Sequence, residues 1–249
     1  MPEQNMTAKN HASFFPAEMQ ILSGSALKVI SVVTMLMDHI AFVLFPLFPW
    51  ARTPVFNGSY APSLYRIFRD IGRIAFPIYV FLLVEGFLYT RSRIRYARNL
   101  LLFALISELP WNYEHTGTFF YKYQNVYFTL FLGFLGCWVI EYFWEKRMAQ
   151  FLCLLALLLV SFFLKADYGW KGFIFILIMY TLRAEPAPRA VVGSCWLYYE
   201  WKACFAFIPI NMYNGKRGFI RNSFIKYMFY AFYPIHILIL GLLKYKVFM

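Results

Sequence analysis

Residues 25–47 read SALKVISVVTMLMDHIAFVLFPL, an apolar run long enough to cross a bilayer that nevertheless carries Asp38 and His39 side by side. A carboxylate at the centre of a spanning helix costs about 2.5–3.5 kcal/mol on insertion scales, so the pair marks either a polar contact between helices or a working site. The run is too long for the apolar core of a signal peptide, follows a polar tail and lacks a small-residue cleavage site. It is therefore expected to stay in the mature protein. Further apolar runs follow, each bounded by charged or turn-forming residues, and the chain is 61% hydrophobic, 22% aromatic and only 14% charged. That composition excludes an ordinary soluble domain and predicts an all-α, polytopic transmembrane bundle of about eight helices. Residues 1–24 read as a polar N-terminal tail and 25–249 as a single transmembrane domain.

The expected spans are 26–47, 72–90, 97–111, 124–142, 148–164, 171–183, 190–210 and 224–243, with a turn signal at Asn57-Gly58 and two polar residues, Glu200 and Lys202, inside the seventh. Gly133 and Gly136 predict a close helix contact. Pro77 and Pro234 free the carbonyls of Arg73 and Tyr230, which predicts kinked helices lining a cavity. The net charge of +12 is spread over many short loops, which suits anionic headgroups and argues against nucleic acid. Arg91, Arg93, Arg95 and Arg98, four cations with no acid among them, place the N-terminus in the cytoplasm. With eight spans, however, the loop cations divide evenly between the two sides, so charge alone does not orient the chain. Cys137, Cys153, Cys195 and Cys204 lie in apolar runs without metal-ligand spacing and read as small buried hydrophobes; no metal is expected.

Helical rise converts sequence position into depth. On the eight-span model His39 lies roughly 18 Å from the inner face and His236 roughly 10 Å, with Glu85, Glu108 and Glu200 between roughly 10 and 16 Å. Five helices thus bring an ionisable group toward mid-membrane, where such groups face a bundle interior or a watery cavity. A neutral imidazole there suits a general base acting on an amine or hydroxyl. Asp38 is about 100° round the helix from His39 and is expected to pair with a cation on another helix. Arg66, Arg69 and Arg73 share one helical face that would suit phosphate or carboxylate groups. No catalytic Ser/His/Asp order, phosphate-binding loop, dinucleotide turn or HExxH motif is present.

The segments LKVISVVTMLMDHIAFVLFP (27–46), RDIGRIAFPIYVFLLVEGFLYTRSRIRYARNLLLFALISELPWN (69–112), ADYGWKGFI (166–174) and FYAFYPIHILIL (229–240), in this order, resemble the TraX family, named for a conjugative-transfer protein that N-acetylates pilin. The resemblance implies a place among integral-membrane acyltransferases of the bacterial inner membrane. It implies acetyl transfer from acetyl-CoA, a co-substrate and not a tightly bound cofactor, to a pilin-like protein or an envelope glycan or peptide across the membrane. On that reading His39 is the base or a transient acyl carrier, and Asp38 positions the site. Arg73 stabilises an oxyanion or phosphate, Glu85, Glu108 and His236 complete the cavity, and Arg66 and Arg69 join Arg73 in binding the acyl-CoA. Two other readings stay open. One is a transporter or flippase, although Pro77 and Pro234 do not occupy matching positions in two halves. The other is a non-catalytic pilus or envelope assembly factor.

Overall fold

In the computed structural model, which describes residues 13–56, 62–220 and 222–248, every regular element is helical. The expected Asn57-Gly58 turn and residues 1–12 of the tail lie outside the described residues. Helix α1 (Gly24–Val43) starts where the Ser23 side chain accepts from the Ala26 N–H. A short α2 (Pro49–Arg52) precedes α3 (Leu64–Gly72), capped by Ser63, and α4 (Ala75–Tyr89). Helix α5 (Arg93–Thr116) is capped by Ser92 and stopped by Gly117 at φ 69°, a left-handed position that suits glycine. Then come α6 (Val126–Tyr142), α7 (Arg147–Leu164), α8 (Gly169–Thr181), α9 (Pro186–Trp196), a 3-10 stretch (Tyr198–Ala206), α10 (Phe207–Asn211) and α11 (Ser223–Leu242).

Among the described residues, four stretches are long and apolar enough to cross a membrane: 24–47, 64–89, 147–164 and 224–248. Helices α6 and α8 are apolar but shorter. The second stretch begins earlier than the expected span at 72 and is broken at Arg73–Ile74, just ahead of Pro77. Pro77 supplies no N–H, so the carbonyl of Arg73 has no helical partner and the chain bends there. Pro234 acts differently: α11 continues through it, and the freed carbonyl of Tyr230 accepts the Tyr127 hydroxyl at 3.0 Å. Gly133 does allow the expected close approach. A Cβ there would lie 2.2 Å from Ile176, so α6 and α8 pack almost backbone to side chain. Phe87, Phe134, Phe175, Ile176 and Met179 form the centre of the core. Of the cysteines only Cys137 is buried, and Cys195 is exposed.

The expected span at residues 190–210 does not form as one helix. Helix α9 enters the bundle, the backbone breaks at Glu200 (φ −132°, ψ 53°), and the 3-10 stretch with α10 leads back out. The arms meet where a Cβ on Gly193 would lie 2.4 Å from the Phe207 ring. The returning chain pairs with the start of α1: Leu22 N–H donates to Met212 O (2.9 Å), Gly24 N–H to Lys216 O (2.9 Å) and Ser25 N–H to Arg217 O (3.0 Å). Consequently α11 runs parallel to α1, and both histidines lie roughly 20 Å from the end at which these helices begin. Among the described residues 186–211 thus form a hairpin whose returning arm reaches the start of α1. This moves Lys216, Arg217 and Lys226 to the N-terminal end and Lys244 and Lys246 to the other, which breaks the even division of cations in favour of the N-terminal end.

Candidate functional site

The site grows from the close contact of α1 with α3. A Cβ on Gly72 would sit 2.2 Å from the Asp38 Cβ, so only glycine lets the two helices meet at this level. One turn earlier on α3, Arg69 Nη1 donates to Asp38 Oδ2 at 2.6 Å, which supplies the interhelical cation expected for Asp38. Two more ion pairs tie α3 to the re-entrant hairpin: Arg73 to Glu200 at 3.0 Å, and Asp70 to Lys202. The second oxygen of Asp38, Oδ1, is buried without a hydrogen bond.

The two histidines meet across α1 and α11. His236 Nδ1 lies 2.7 Å from the carbonyl of Phe232, a pure acceptor, so it carries the proton and leaves Nε2 with a lone pair. That lone pair lies 3.1 Å from His39 Nδ1, which is also 3.0 Å from the carbonyl of Met35. Both neighbours are acceptors, so His39 holds its proton on Nδ1. Its Nε2 keeps a free lone pair, the form a general base requires.

A third wall comes from the turn between α7 and α8. Lys165 and Tyr168 adopt φ of 53° and 61°, strained values for residues with a Cβ. The turn is held by Asp167 N–H donating to Gln124 O (2.8 Å), by the Thr129 hydroxyl donating to Asp167 O, and by Tyr168 N–H donating to Asp167 Oδ1 (3.1 Å). Tyr168 stacks on Phe76 with ring centroids 3.7 Å apart and beside Arg73. Burial pushes the Asp167 carboxyl up to about 6, against the lowering effects of the Tyr168 N–H and the Arg73 charge.

These walls enclose a cavity of about 90 Å³ lined by Asp38, His39, Gly72, Phe76, Asp167 and Tyr168 among others. A second, larger cavity adjoins it through shared walls at Tyr79, Tyr127, Leu130 and Phe229. The structure therefore brings together Asp38, His39 and His236, with Arg69 and Arg73 one contact away, each guanidinium already paired with a carboxylate. Arg66 is exposed. Glu85 lines the larger cavity near Tyr213. Glu108 accepts from Asn125 Nδ2 at 2.6 Å, ties α5 to α6 and lines neither cavity. Gly72, Asp167, Tyr168 and Glu200 were absent from the expected site. Asp167 and Tyr168 sit inside the ADYGWKGFI motif but read as a turn at the membrane surface, and no pattern in the sequence singles out Gly72.

A family model described as TraX protein matches residues 23–244. The chain is 27% identical to "Probable fimbrial assembly protein FimC, serogroup H1" of Dichelobacter nodosus over 248 residues, covering 88% of this chain and 94% of that protein. No solved structure matches. With nearly the whole described bundle inside the match, the chain belongs to the TraX family.

Proposed function

We propose that the protein is a membrane acetyltransferase that moves an acetyl group from acetyl-CoA to an amine or hydroxyl of a pilin-like or envelope acceptor. The observation that carries this reading is the placement of His39: an imidazole on a cavity wall with Nδ1 within 3.1 Å of two acceptors, the arrangement that leaves Nε2 unprotonated. In the reaction the acceptor N–H or O–H gives its proton to His39 Nε2 as the new bond to the acyl carbon forms. The C–S bond then breaks, and the proton passes to the departing thiolate. His236 is a positioning residue: its Nε2 accepts from His39 Nδ1–H and steadies the imidazolium. Asp38, held by Arg69 and packed against Gly72, fixes the wall beside His39. A cavity of about 90 Å³ has room for a two-carbon acyl group. The Arg73–Glu200 and Asp38–Arg69 pairs hold the walls and leave the expected arginine face little capacity for a phosphate.

The fimbrial name of the Dichelobacter relative supports a role in pilus assembly. It fits equally a second reading, a factor that assembles pili without catalysis. In the enzymatic reading the protein sits in the bacterial inner membrane, with its cation-rich N-terminal end in the cytoplasm where acyl-CoA is available. The test is release of free CoA thiol from acetyl-CoA by purified protein with an amine acceptor peptide. Turnover in wild type and a fall of at least 100-fold in His39→Gln are expected, within the range for loss of a general base. Equal rates in the two, or no turnover while His39→Gln cells still assemble pili, would favour the assembly factor.

A further inference from the structure

The larger cavity measures about 560 Å³, within the range of sites that hold cofactor-sized ligands. It opens at the N-terminal end of the bundle, where Lys28 of α1, Arg217 of the following loop and Lys226 of α11 all line it. None of these three forms an ion pair among the described residues, and Glu85 is the one acid in the lining. Three cations from three elements, Arg217 exposed and Lys28 and Lys226 half-buried, repel one another around the mouth of a shared cavity, so an anion entering there gains from all three. Further in, the walls are tyrosines, among them Tyr79, Tyr96 and Tyr230, which offer apolar faces and hydroxyl edges to a ligand's body. The inner end meets the His39 cavity at Tyr79, Tyr127, Leu130 and Phe229. Along α1 the step from Lys28 to His39 is roughly 15 Å, and along α11 the step from Lys226 to His236 is about the same.

We propose that this cavity binds an elongated ligand with a phosphate-bearing head. The head sits among Lys28, Arg217 and Lys226, and a flexible arm passes Tyr79 and Tyr127 to end at the His39 cavity. Inorganic phosphate alone would satisfy the cations and leave the arm channel unused. The identification of this ligand with the acyl donor rests on the proposed acetyltransferase activity; the binding of a phosphate head does not. The arginine face of α3 is thereby replaced as the anion site by cations at the opposite end of the bundle. Two sources share the chemistry, a soluble CoA-type donor and an anionic lipid headgroup.

The experiment uses the full chain in an uncharged detergent with CoA as probe, and in nanodiscs of phosphatidylglycerol or phosphatidylcholine. Wild type is expected to bind CoA, with affinity falling as salt rises. The triple variant Lys28→Gln/Arg217→Gln/Lys226→Gln is expected to bind at least tenfold more weakly. CoA binding lost only in the triple variant supports the proposal with a soluble donor. Absent CoA binding, retention of phosphatidylglycerol by wild type but not by the triple variant supports it with a lipid head. Equal binding by wild type and triple variant, or binding of neither probe to wild type, overturns it. Lys226→Gln alone, expected to weaken binding severalfold at an unchanged melting midpoint, guards against a triple variant that fails to fold. CoA bound through the three cations without acyl transfer would leave this site standing and remove the acetyltransferase reading instead.

Discussion

At the scale of single residues, Asp167 separates local sequence from environment most sharply. Its carboxyl is pushed up to about 6 by burial, above the 3.8 of an exposed aspartate, so the folded state holds its proton more tightly than the unfolded chain does. Stability from this group is therefore greatest below about pH 4 and falls as pH rises toward 6. Asp167→Asn keeps the acceptor for the Tyr168 N–H and removes the charge. The melting midpoint of the variant relative to wild type should rise between pH 4 and pH 7, as followed by thermal unfolding in detergent. A gap that stays constant across that range would show that Asp167 does not titrate there. The Asp38-His39 pair was visible in the sequence because an ionisable residue inside an apolar run is costly. Asp167 was not, because an aspartate in a turn costs nothing until the tertiary fold buries the turn.

Among the helices and turns, the contact between α1 and α3 depends on one absent methyl group. Gly72→Ala would gain up to about 1 kcal/mol of helix propensity. It would also set a Cβ 2.2 Å from the Asp38 Cβ and 2.7 Å from Asp38 Oδ1, overpacking of a kind that costs about 1–3 kcal/mol. The clash is the larger effect, so the variant should melt lower, since moving α3 also pulls Arg69 away from Asp38. A midpoint equal to or above that of wild type would overturn the close-contact account. The expected helices were legible from hydropathy, and so were the breaks at Pro77 and the glycine contact of α6. The re-entrant hairpin was not: an apolar segment of about the right length reads as a span, and only packing reveals that Glu200 and Lys202 are used as partners for Arg73 and Asp70.

For the whole molecule, the hairpin at 186–211 reverses the sense of everything after it. With α11 parallel to α1, the N-terminal end of the bundle and the last residues of α11 lie on opposite faces. Cysteines introduced singly at Lys216 and Lys246 should therefore react with a membrane-impermeant reagent from opposite sides of oriented vesicles; labelling from the same side would restore the expected span at 190–210. Composition, apolar runs and the buried Asp-His pair were enough to establish a helical membrane protein with a polar centre, because the bilayer penalises unpaired backbone and charge at every position along the chain. Which polar groups share that centre was decided only by the tertiary structure. Glu85, Glu108 and His236 look alike in depth, but a rotation of one helix or one re-entrant turn directs Glu85 to another cavity, Glu108 to Asn125 and His236 to His39. Depth follows from rise along a helix, whereas company depends on which faces pack, and that is settled by contacts between residues as far apart in the chain as His39 and His236.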